Sequence, residues 1–272
     1  MRGANVDRGE TSEGYIAMLV AERQREIVAL VDRERSVRVT SLARLFQVTE
    51  ETIRRDLEKL EADGKLVRSH GGAVSRAGAL ETPFAEREIS FVMEKAAIGR
   101  EAVKLVQEDD TILIDASTTA LQMARLLPDM PLTVLTNSMQ VCVELTNRPR
   151  MRVVCTGGTL SPPSLSFVGF RAEQMLGEYH VNRLFFSCSG VDFEHGLSDI
   201  NESQAVLKQR MMAVAEHAYL LVDRSKFGVK SLKRFGKLGD IRTIITNDTI
   251  DPMVVENLAT IGVETVLAKV QG

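Results

Sequence analysis

The sequence predicts an α/β chain in two unequal parts. A small helical domain closed by a two-stranded ribbon comes first. A larger, mostly parallel, doubly wound α/β domain comes second. Residues 40–60 hold two short amphipathic segments separated by a two-residue turn, and two short strands come directly after them. From residue 111 onward, near-continuous apolar runs alternate with helical stretches, the pattern of parallel strands buried on both faces. A chain of 272 residues is long for one compact core and suits two.

Taken in order, residues 1–14 are polar, glycine-bearing and aperiodic, and are expected to be a disordered tail. Residues 15–76 form the first domain, 77–89 a linker around Pro83, and 90–272 the second domain. The first helix is expected over 15–33, with Ile27, Val28, Leu30 and Val31 supplying apolar surface. Thr40 is the expected N-cap of the next helix, which would bury Leu42, Leu45 and Phe46 before a turn at Gln47-Val48. Thr49 caps a further helix, with Glu50 and Glu51 in its first turn, where acids suit the helix dipole. Ile53, Leu57 and Leu60 fall at i, i+4 and i+7 and make one buried stripe. At about 100° per residue the opposite face presents Glu51, Arg55, Glu58 and Lys59, with Thr52 and Arg54 on its shoulders. Gly64 ends the helix, residues 65–68 and 73–76 read as strands, and Ser69-His70-Gly71-Gly72 turns between them. An outward-facing basic helix braced by a preceding one and trailed by a ribbon has the layout of a winged helix-turn-helix.

Thr52-Ile53-Arg54-Arg55-Asp56-Leu57, the spaced Leu60, and Leu66-Val67-Arg68-Ser69-His70-Gly71-Gly72-Ala73 closely resemble the winged helix-turn-helix of DeoR-type bacterial repressors. Recognition helices read base edges with their N-terminal half, which nominates Glu51, Thr52 and Arg55. Arg54, Lys59, Arg68 and the His70-Gly71-Gly72 wing are nominated for phosphates. The two caps, Thr40 and Thr49, complete the DNA-binding set. Asp56 lies near the buried shoulder and is expected to pair with an arginine.

In the second domain a long helix is expected over 90–107 and strands over 111–114, 132–135, 152–154, 184–186, 219–222, 243–245 and 265–267. The loops leaving five of these strands are polar: Asp115-Ala116-Ser117-Thr118-Thr119, Thr136-Asn137-Ser138, Thr156-Gly157-Gly158-Thr159, Ser187 to Asp192, and Asp223 to Lys226. In an open parallel sheet such loops share the carboxyl edge, where ligands bind. Hydroxyls and N–H groups at helix starts beside a glycine pair favour an anion such as phosphate. Any single such loop is better explained as a helix cap, and it is the five on one edge that point to a site. No Walker loop or dinucleotide fingerprint is present.

Residues 94–248 resemble the sensing domain of the same family, related to ribose-5-phosphate isomerase and glucosamine-6-phosphate deaminase. The resemblance implies a phosphate loop at Asp115, Ser117, Thr118 and Thr119, although many relatives have glycine at position 116 or 117. It also implies effector contacts from Asn137, Gly157, Gly158, Asp192, Glu202 and Lys226. Asp192, Glu202 and Lys226 are residue types that a sugar isomerase uses for proton transfer. The resemblance implies that here they bind sugar hydroxyls and a charged group. An ion-pair network at the sheet edge is the alternative.

Hydrophobic residues make up 44% and charged residues 26%, an ordinary globular composition. No apolar run reaches the ~18 residues of a membrane span, so a cytoplasmic protein without membrane contact is expected. Cys142, Cys155 and Cys188 sit singly in apolar runs, and His70, His180, His195 and His217 are dispersed, which speaks against a disulfide framework, a metal site or a cofactor. The net charge is −3, but residues 21–76 carry twelve Lys/Arg against ten Asp/Glu. With so small an excess, attraction to DNA must come from the placement of charges. The expected function is a non-enzymatic, homo-oligomeric transcriptional regulator that binds double-stranded operator DNA. It would most simply be a repressor of a sugar or polyol catabolic operon, relieved by a phosphorylated sugar. An activator of such an operon, or a sugar-phosphate isomerase or deaminase, are the alternatives.

Overall fold

The computed structural model describes residues 20–34, 36–69, 71–75 and 81–270. The chain divides into two compact units, residues 1–78 and 79–272. The proposed tail over 1–14 and His70 lie outside the described residues.

In the first unit, the elements in order are α1 (Val20–Glu34), β1 (Ser36–Arg38), α2 (Val39–Phe46), α3 (Glu50–Ala62), β2 (Leu66–Ser69) and β3 (Gly72–Ser75). Ile27 and Val31 of α1 pack with Leu42 of α2 and with Ile53, Leu57 and Leu60 of α3. The i, i+4, i+7 spacing in α3 therefore delivers the buried stripe it predicts. Thr49 caps α3, its hydroxyl accepting from Thr52 N at 3.2 Å. Gly64 takes φ 69° just beyond the helix, a conformation that suits a residue without Cβ.

Two expectations for α2 need correction. The helix begins at Val39, so Thr40 stands inside its first turn, and Arg38 is the cap residue without a side-chain bond. Val39 N donates to Gly71 O at 2.8 Å, so the wing turn satisfies the first free donor of the helix. Leu45 is 60% exposed, because the packed side of this short helix runs through Val39, Leu42 and Phe46. The ribbon also gains a strand that the sequence did not betray. β1 pairs with β3 in an antiparallel sheet of order β1-β3-β2.

The second unit opens with α4 (Phe84–Ile89) and α5 (Val92–Val103). The single helix expected over 90–107, and the expectation of linker up to 89, are both corrected. The chain kinks at Ser90-Phe91, where Phe91 sits at φ 53°, and the second helix stops at Val103.

The rest alternates strand and helix: β4 (Thr111–Ile114), α6 (Thr118–Leu126), β5 (Leu132–Thr136), α7 (Met139–Glu144), β6 (Met151–Cys155), β7 (Thr159–Ser161), β8 (Ser166–Val168), α8 (Phe170–Leu176), β9 (Val181–Phe186), β10 (Gly190–Asp192), β11 (Gly196–Asp199), α9 (Glu202–Val214), β12 (Ala215–Leu221), β13 (Lys233–Gly236), β14 (Thr243–Asn247), α10 (Pro252–Thr260) and β15 (Glu264–Ala268). Among the described residues, seven strands form one parallel sheet of order β15-β14-β12-β9-β4-β5-β6. Successive residues feed opposite faces. Leu113, Leu135, Leu184, Phe186, Leu220 and Ile244 enter one core, and Ile112, Ile114, Val134, Phe185, Leu221 and Ile245 enter the other. Both faces need helical cover, which is why these strands read as unbroken apolar runs. Two small sheets sit beside the main one, a β7-β8 hairpin and β10-β11-β13.

The strand order fixes where a ligand site belongs. The chain builds outward from β4 through β5 to β6, then returns to the other side of β4 to lay down β9, β12, β14 and β15. The direction reverses between β4 and β9. In open parallel sheets the loops at such a reversal are where ligands bind, so the carboxyl edge beside β4 and β9 is the place to look for a site.

Candidate DNA-binding surface and effector site

On α3 the outward side chains hold one another. Arg54 reaches Glu50 at 2.6 Å and Glu51 at 3.8 Å, and Arg55 reaches Glu51 at 3.5 Å. Arg68 of the wing reaches back to Glu58 at 2.9 Å, and its N–H donates to Glu61. This joins the wing to the helix face. Thr49 and Thr52 share a hydroxyl contact at 2.9 Å, while Lys59 and Thr40 are exposed. Exposed pairs of this kind contribute little, ~0–1 kcal/mol each, so an incoming phosphate can replace the carboxylates at small cost. Arg55 is 77% exposed at its side chain, more than either arginine paired beside it, Arg54 or Arg68.

Beneath that face, Asp56 is 4% exposed, accepting from Arg23 Nε at 2.7 Å and Gln24 Nε2 at 2.8 Å. Asp56 therefore locks α3 to α1. Gly71 is exposed at the wing tip, whereas Gly72 is buried, with the backbone of β1 filling the space where a Cβ would stand.

At the sheet's carboxyl edge, Asp115, Ser117, Thr118, Thr119 and Asn137 are all buried. Asp115 leaves β4 and accepts from Ser117 N at 3.0 Å and from Ser187 N, beyond β9, at 3.2 Å. It spans the switch point. Ser117 caps α6 through Ala120 N. Asn137 donates to Phe167 O and Gln204 Oε1, but its own Oδ1, fully buried, has no hydrogen-bond partner among the described residues. A buried amide oxygen left without a donor costs about 1–3 kcal/mol, so it marks a position that wants one.

Much of what organises this edge has no role in the sequence reading: Gln204 is missed, and Lys208 enters it only beside Glu202 in the family resemblance. Gln204 and Lys208 lie one turn apart on α9 and tie the loops together. Gln204 Nε2 donates to Ser164 at 3.2 Å and also to Ser166. Lys208 Nζ bonds Asp199 at 2.6 Å and stands 3.4 Å from Asp115. Burial pushes the Lys208 ammonium down, yet Asp199 and Asp115 hold it above its ordinary value. Burial likewise pushes the Asp199 carboxyl up, but Lys208, Ser189 and Ile200 N hold it below the usual carboxylate range. Lys95 of α5 was also missed. It is 5% exposed and donates to Arg87 O. Burial lowers it to about 8, Asp223 opposes that fall, and neighbouring Lys226 and Arg87 add to it. Lys95, Lys226 and Arg87 thus concentrate positive charge beside this edge.

Other nominated residues are engaged elsewhere. Asp192 caps the β10-β11 turn, accepting from Glu194 N at 3.0 Å and His195 N at 2.7 Å, with Lys230 at 3.4 Å. Burial raises its carboxyl, but those two N–H groups and Lys230 bring it below the ordinary range. Glu202 is exposed and pairs with Lys233 at 3.1 Å. Gly158 sits at φ 108°, where an added Cβ would meet Val168 O at 2.7 Å, so its small size serves packing against β8. Gly157, at φ 64°, has open space around its Cα.

The model of the DeoR-like helix-turn-helix domain matches residues 23–77, and that of the DeoR C terminal sensor domain matches residues 90–248. The chain belongs to the DeoR family. Its relatives include an uncharacterized HTH-type transcriptional regulator, YulB, of Bacillus subtilis (strain 168), 51% identical over 89% of this chain and 94% of that one. The L-fucose operon activator of Haemophilus influenzae is 38% identical over 84% of this chain and 92% of its own. The transcriptional repressor AccR of Agrobacterium fabrum is 34% identical over 83% and 89%. As a DeoR-family member the chain is a DNA-binding transcriptional regulator with a C-terminal sensor domain. No helix among the described residues is long and apolar enough to cross a membrane.

Proposed function

We propose that this DeoR-family regulator represses a sugar or polyol catabolic operon in the cytoplasm and is released when a phosphorylated sugar occupies the carboxyl edge of its sensor domain. The observation that carries this reading is a buried acceptor without a hydrogen-bond partner among the described residues, Asn137 Oδ1, at the carboxyl end of β5. It lies on the sheet edge where Lys95 and Lys226 stand near the end of β12. Asn137 Oδ1 can accept from a sugar hydroxyl, while Lys95 and Lys226 can hold the phosphate. Ser117, Thr118 and Thr119 at the start of α6 would supply further donors. The role is binding without turnover. Asp192 and Glu202, the types an isomerase would use as acid and base, are engaged by Lys230 and Lys233. On the DNA side, Arg55 reads a base while Arg54, Lys59 and Arg68 exchange their present surroundings for phosphates.

The test pairs calorimetry against a panel of sugar phosphates, the free sugars and inorganic phosphate with operator gel shifts on the same proteins. Lys226→Ala and Lys95→Met should each weaken sugar-phosphate binding by about 1.5–3 kcal/mol, ten- to hundred-fold, leaving operator binding intact. Arg55→Ala should do the reverse, with a loss of about 1–3 kcal/mol in operator affinity. If both lysine variants bind the ligand as wild type does, the site lies elsewhere.

Activation in place of repression is the second reading. It is favoured by one observation, the 38% identity to an L-fucose operon activator. Transcription from the adjacent operon in a deletion strain separates the two, rising for a repressor and falling for an activator.

A further inference from the structure

The start of the second unit is tied down by two side chains. Glu81 is 11% exposed at its side chain, and its two oxygens have different partners. Oε1 accepts from Arg87 Nη2 at 3.3 Å, and Oε2 accepts from Asn201 Nδ2 at 2.8 Å. Arg87 holds this stretch a second time. Its Nε donates to Thr82 O at 2.9 Å, and its guanidinium lies 5.7 Å from the centre of the Phe84 ring. Beyond Pro83 the attachment changes in kind. Phe84 is 3% exposed within the core, and its N–H donates to Pro163 O at 2.8 Å. Core packing therefore anchors the chain from Phe84 onward, while Arg87 and Asn201 hold Glu81 and Thr82 before it.

Hydrogen bonds connect both partners of Glu81 to the edge where the effector is proposed to sit. Asn201 is the N-cap of α9, its Oδ1 accepting from Gln204 N at 3.2 Å. Gln204 Oε1 accepts in turn from Asn137 Nδ2 at 3.5 Å, and Asn137 Oδ1 is the buried acceptor without a partner among the described residues. On the other side, Arg87 O accepts from the buried Lys95 ammonium. A carboxylate thus stands between a guanidinium and an amide N–H beside this edge. Its hold is light. One contact at 3.3 Å uses a single donor of a guanidinium that is built to grip two oxygens at once. Ion pairs that solvent reaches contribute little, and the Arg87 side chain is 27% exposed. A phosphate brings more charge and several oxygens, so it makes the stronger charge-assisted pair.

We propose that Arg87 and Asn201 form an anion position for the effector's phosphate, and that Glu81 is its internal occupant. This rests on the reading that the sheet edge takes a phosphorylated ligand. A carboxylate and a phosphate cannot share one guanidinium and one amide donor, because like charges at that spacing repel. Ligand and Glu81 therefore exclude each other. With Arg87 turned to phosphate, Glu81 and Thr82 lose their side-chain ties, whereas Phe84 keeps its place in the core. Glu81 lies six positions after Ser75, the last residue of the wing strand β3. Binding at the edge thus unties the chain where it enters the second unit, close in sequence to the wing. By linkage, the contacts that hold Glu81 in place weaken the ligand by the same factor that the ligand weakens them.

The test measures inorganic phosphate binding to the full-length protein by the shift in Tm, at constant ionic strength with chloride as the reference anion. Glu81→Gln keeps the length of the side chain and removes its charge, and should bind phosphate about five-fold or more tightly than wild type. Asn201→Asp keeps the oxygen that caps α9 but replaces the Nδ2 donor with a carboxylate oxygen. That variant and Arg87→Gln should each lose roughly ten-fold or more in phosphate affinity. Glu86→Gln removes the same charge from an exposed position on α4 and should leave the affinity unchanged. Absence of phosphate binding in Glu81→Gln, or equal tightening in Glu86→Gln, would overturn the assignment. Wild-type affinity in both Asn201→Asp and Arg87→Gln would do so too, and would leave a sugar-phosphate site at Lys95 and Lys226 standing. Tightening in Glu81→Gln together with wild-type affinity in Lys226→Ala would support the Arg87–Asn201 position and remove Lys226 from the phosphate site.

Discussion

Between about pH 8 and 10.5 the folded and unfolded chains hold different numbers of protons at Lys95, because burial disfavours its charge only in the fold. The unfolded chain binds the extra proton in that window. Stability therefore rises with pH from about 8 to 10.5, and below 8 the full cost of the buried ammonium is present. That cost is on the order of 3 kcal/mol, offset in part by the bond to Arg87 O. Lys95→Met should accordingly stabilise the protein by roughly 1–2 kcal/mol at neutral pH, a rise of several degrees in Tm, and the gain should vanish toward pH 10.5. Differential scanning calorimetry at pH 7 and pH 10 checks both. Destabilisation at both pH values would show that Lys95 is a structural donor first. The same variant is expected to lose the ligand, so this residue trades stability for binding. Lys95 is illegible in the sequence for a physical reason. A lysine in an amphipathic helix looks like a solvated one, and only the folding over of α4 and the arrival of Lys226 from far along the chain bury it among like charges.

At the level of elements, the wing depends on β3 lying against β1 closely enough that no side chain fits between them. A Cβ at Gly72 would stand 1.8 Å from Val37 O and 2.9 Å from its carbonyl carbon. Since these are backbone atoms, rotamer changes cannot relieve the clash. Gly72→Ala should push β1 off the ribbon, free the Val39–Gly71 hydrogen bond that starts α2, and cost about 1–3 kcal/mol. Thermal unfolding combined with operator gel shifts would show a lowered Tm and weaker DNA binding. Unchanged values for both would mean that β1 is dispensable. The local elements are readable in advance. The α3 stripe, its Thr49 cap and the Gly64 stop are fixed by residues within a few positions of one another, and the seven main strands announce themselves by being apolar on both faces. β1, only three residues long, is not readable, because its partners in β3 lie 34–38 positions down the chain. The start of α2 is misread for the same reason, its first donor being satisfied by the distant Gly71. At the effector edge, Asp115 and Asn137 come directly after their strands and are legible. Gln204 and Lys208 depend on which face α9 turns to the sheet, and Asp192 and Asp199 on the short strands β10 and β11.

For the whole molecule, one small winged domain buries too little DNA to reach typical operator affinity, so two or more chains should act together on repeated half-sites. The surface available for association is concentrated in the second unit. Among the described residues, Val20 and Leu45 are the exposed large apolar side chains of the first unit, against thirteen in the second. Four of those thirteen, Ile89, Phe91, Val92 and Met93, are nearly consecutive at the α4-α5 kink, with Ile89 77% exposed. Isolated exposed apolar residues are ordinary, but a run of them at one bend favours a covered surface. The full chain should therefore sediment as a dimer or larger species at micromolar concentration. Ile89→Glu with Met93→Glu should shift it toward monomer without changing its far-UV circular dichroism, since neither side chain is in the core. If this bend holds the interface, the double variant should also lose cooperativity on an operator with two half-sites while binding an isolated half-site as wild type does. A wild-type chain that sediments as a monomer would sink the oligomer itself. A double variant that remains a dimer would place the interface on another face of the second unit.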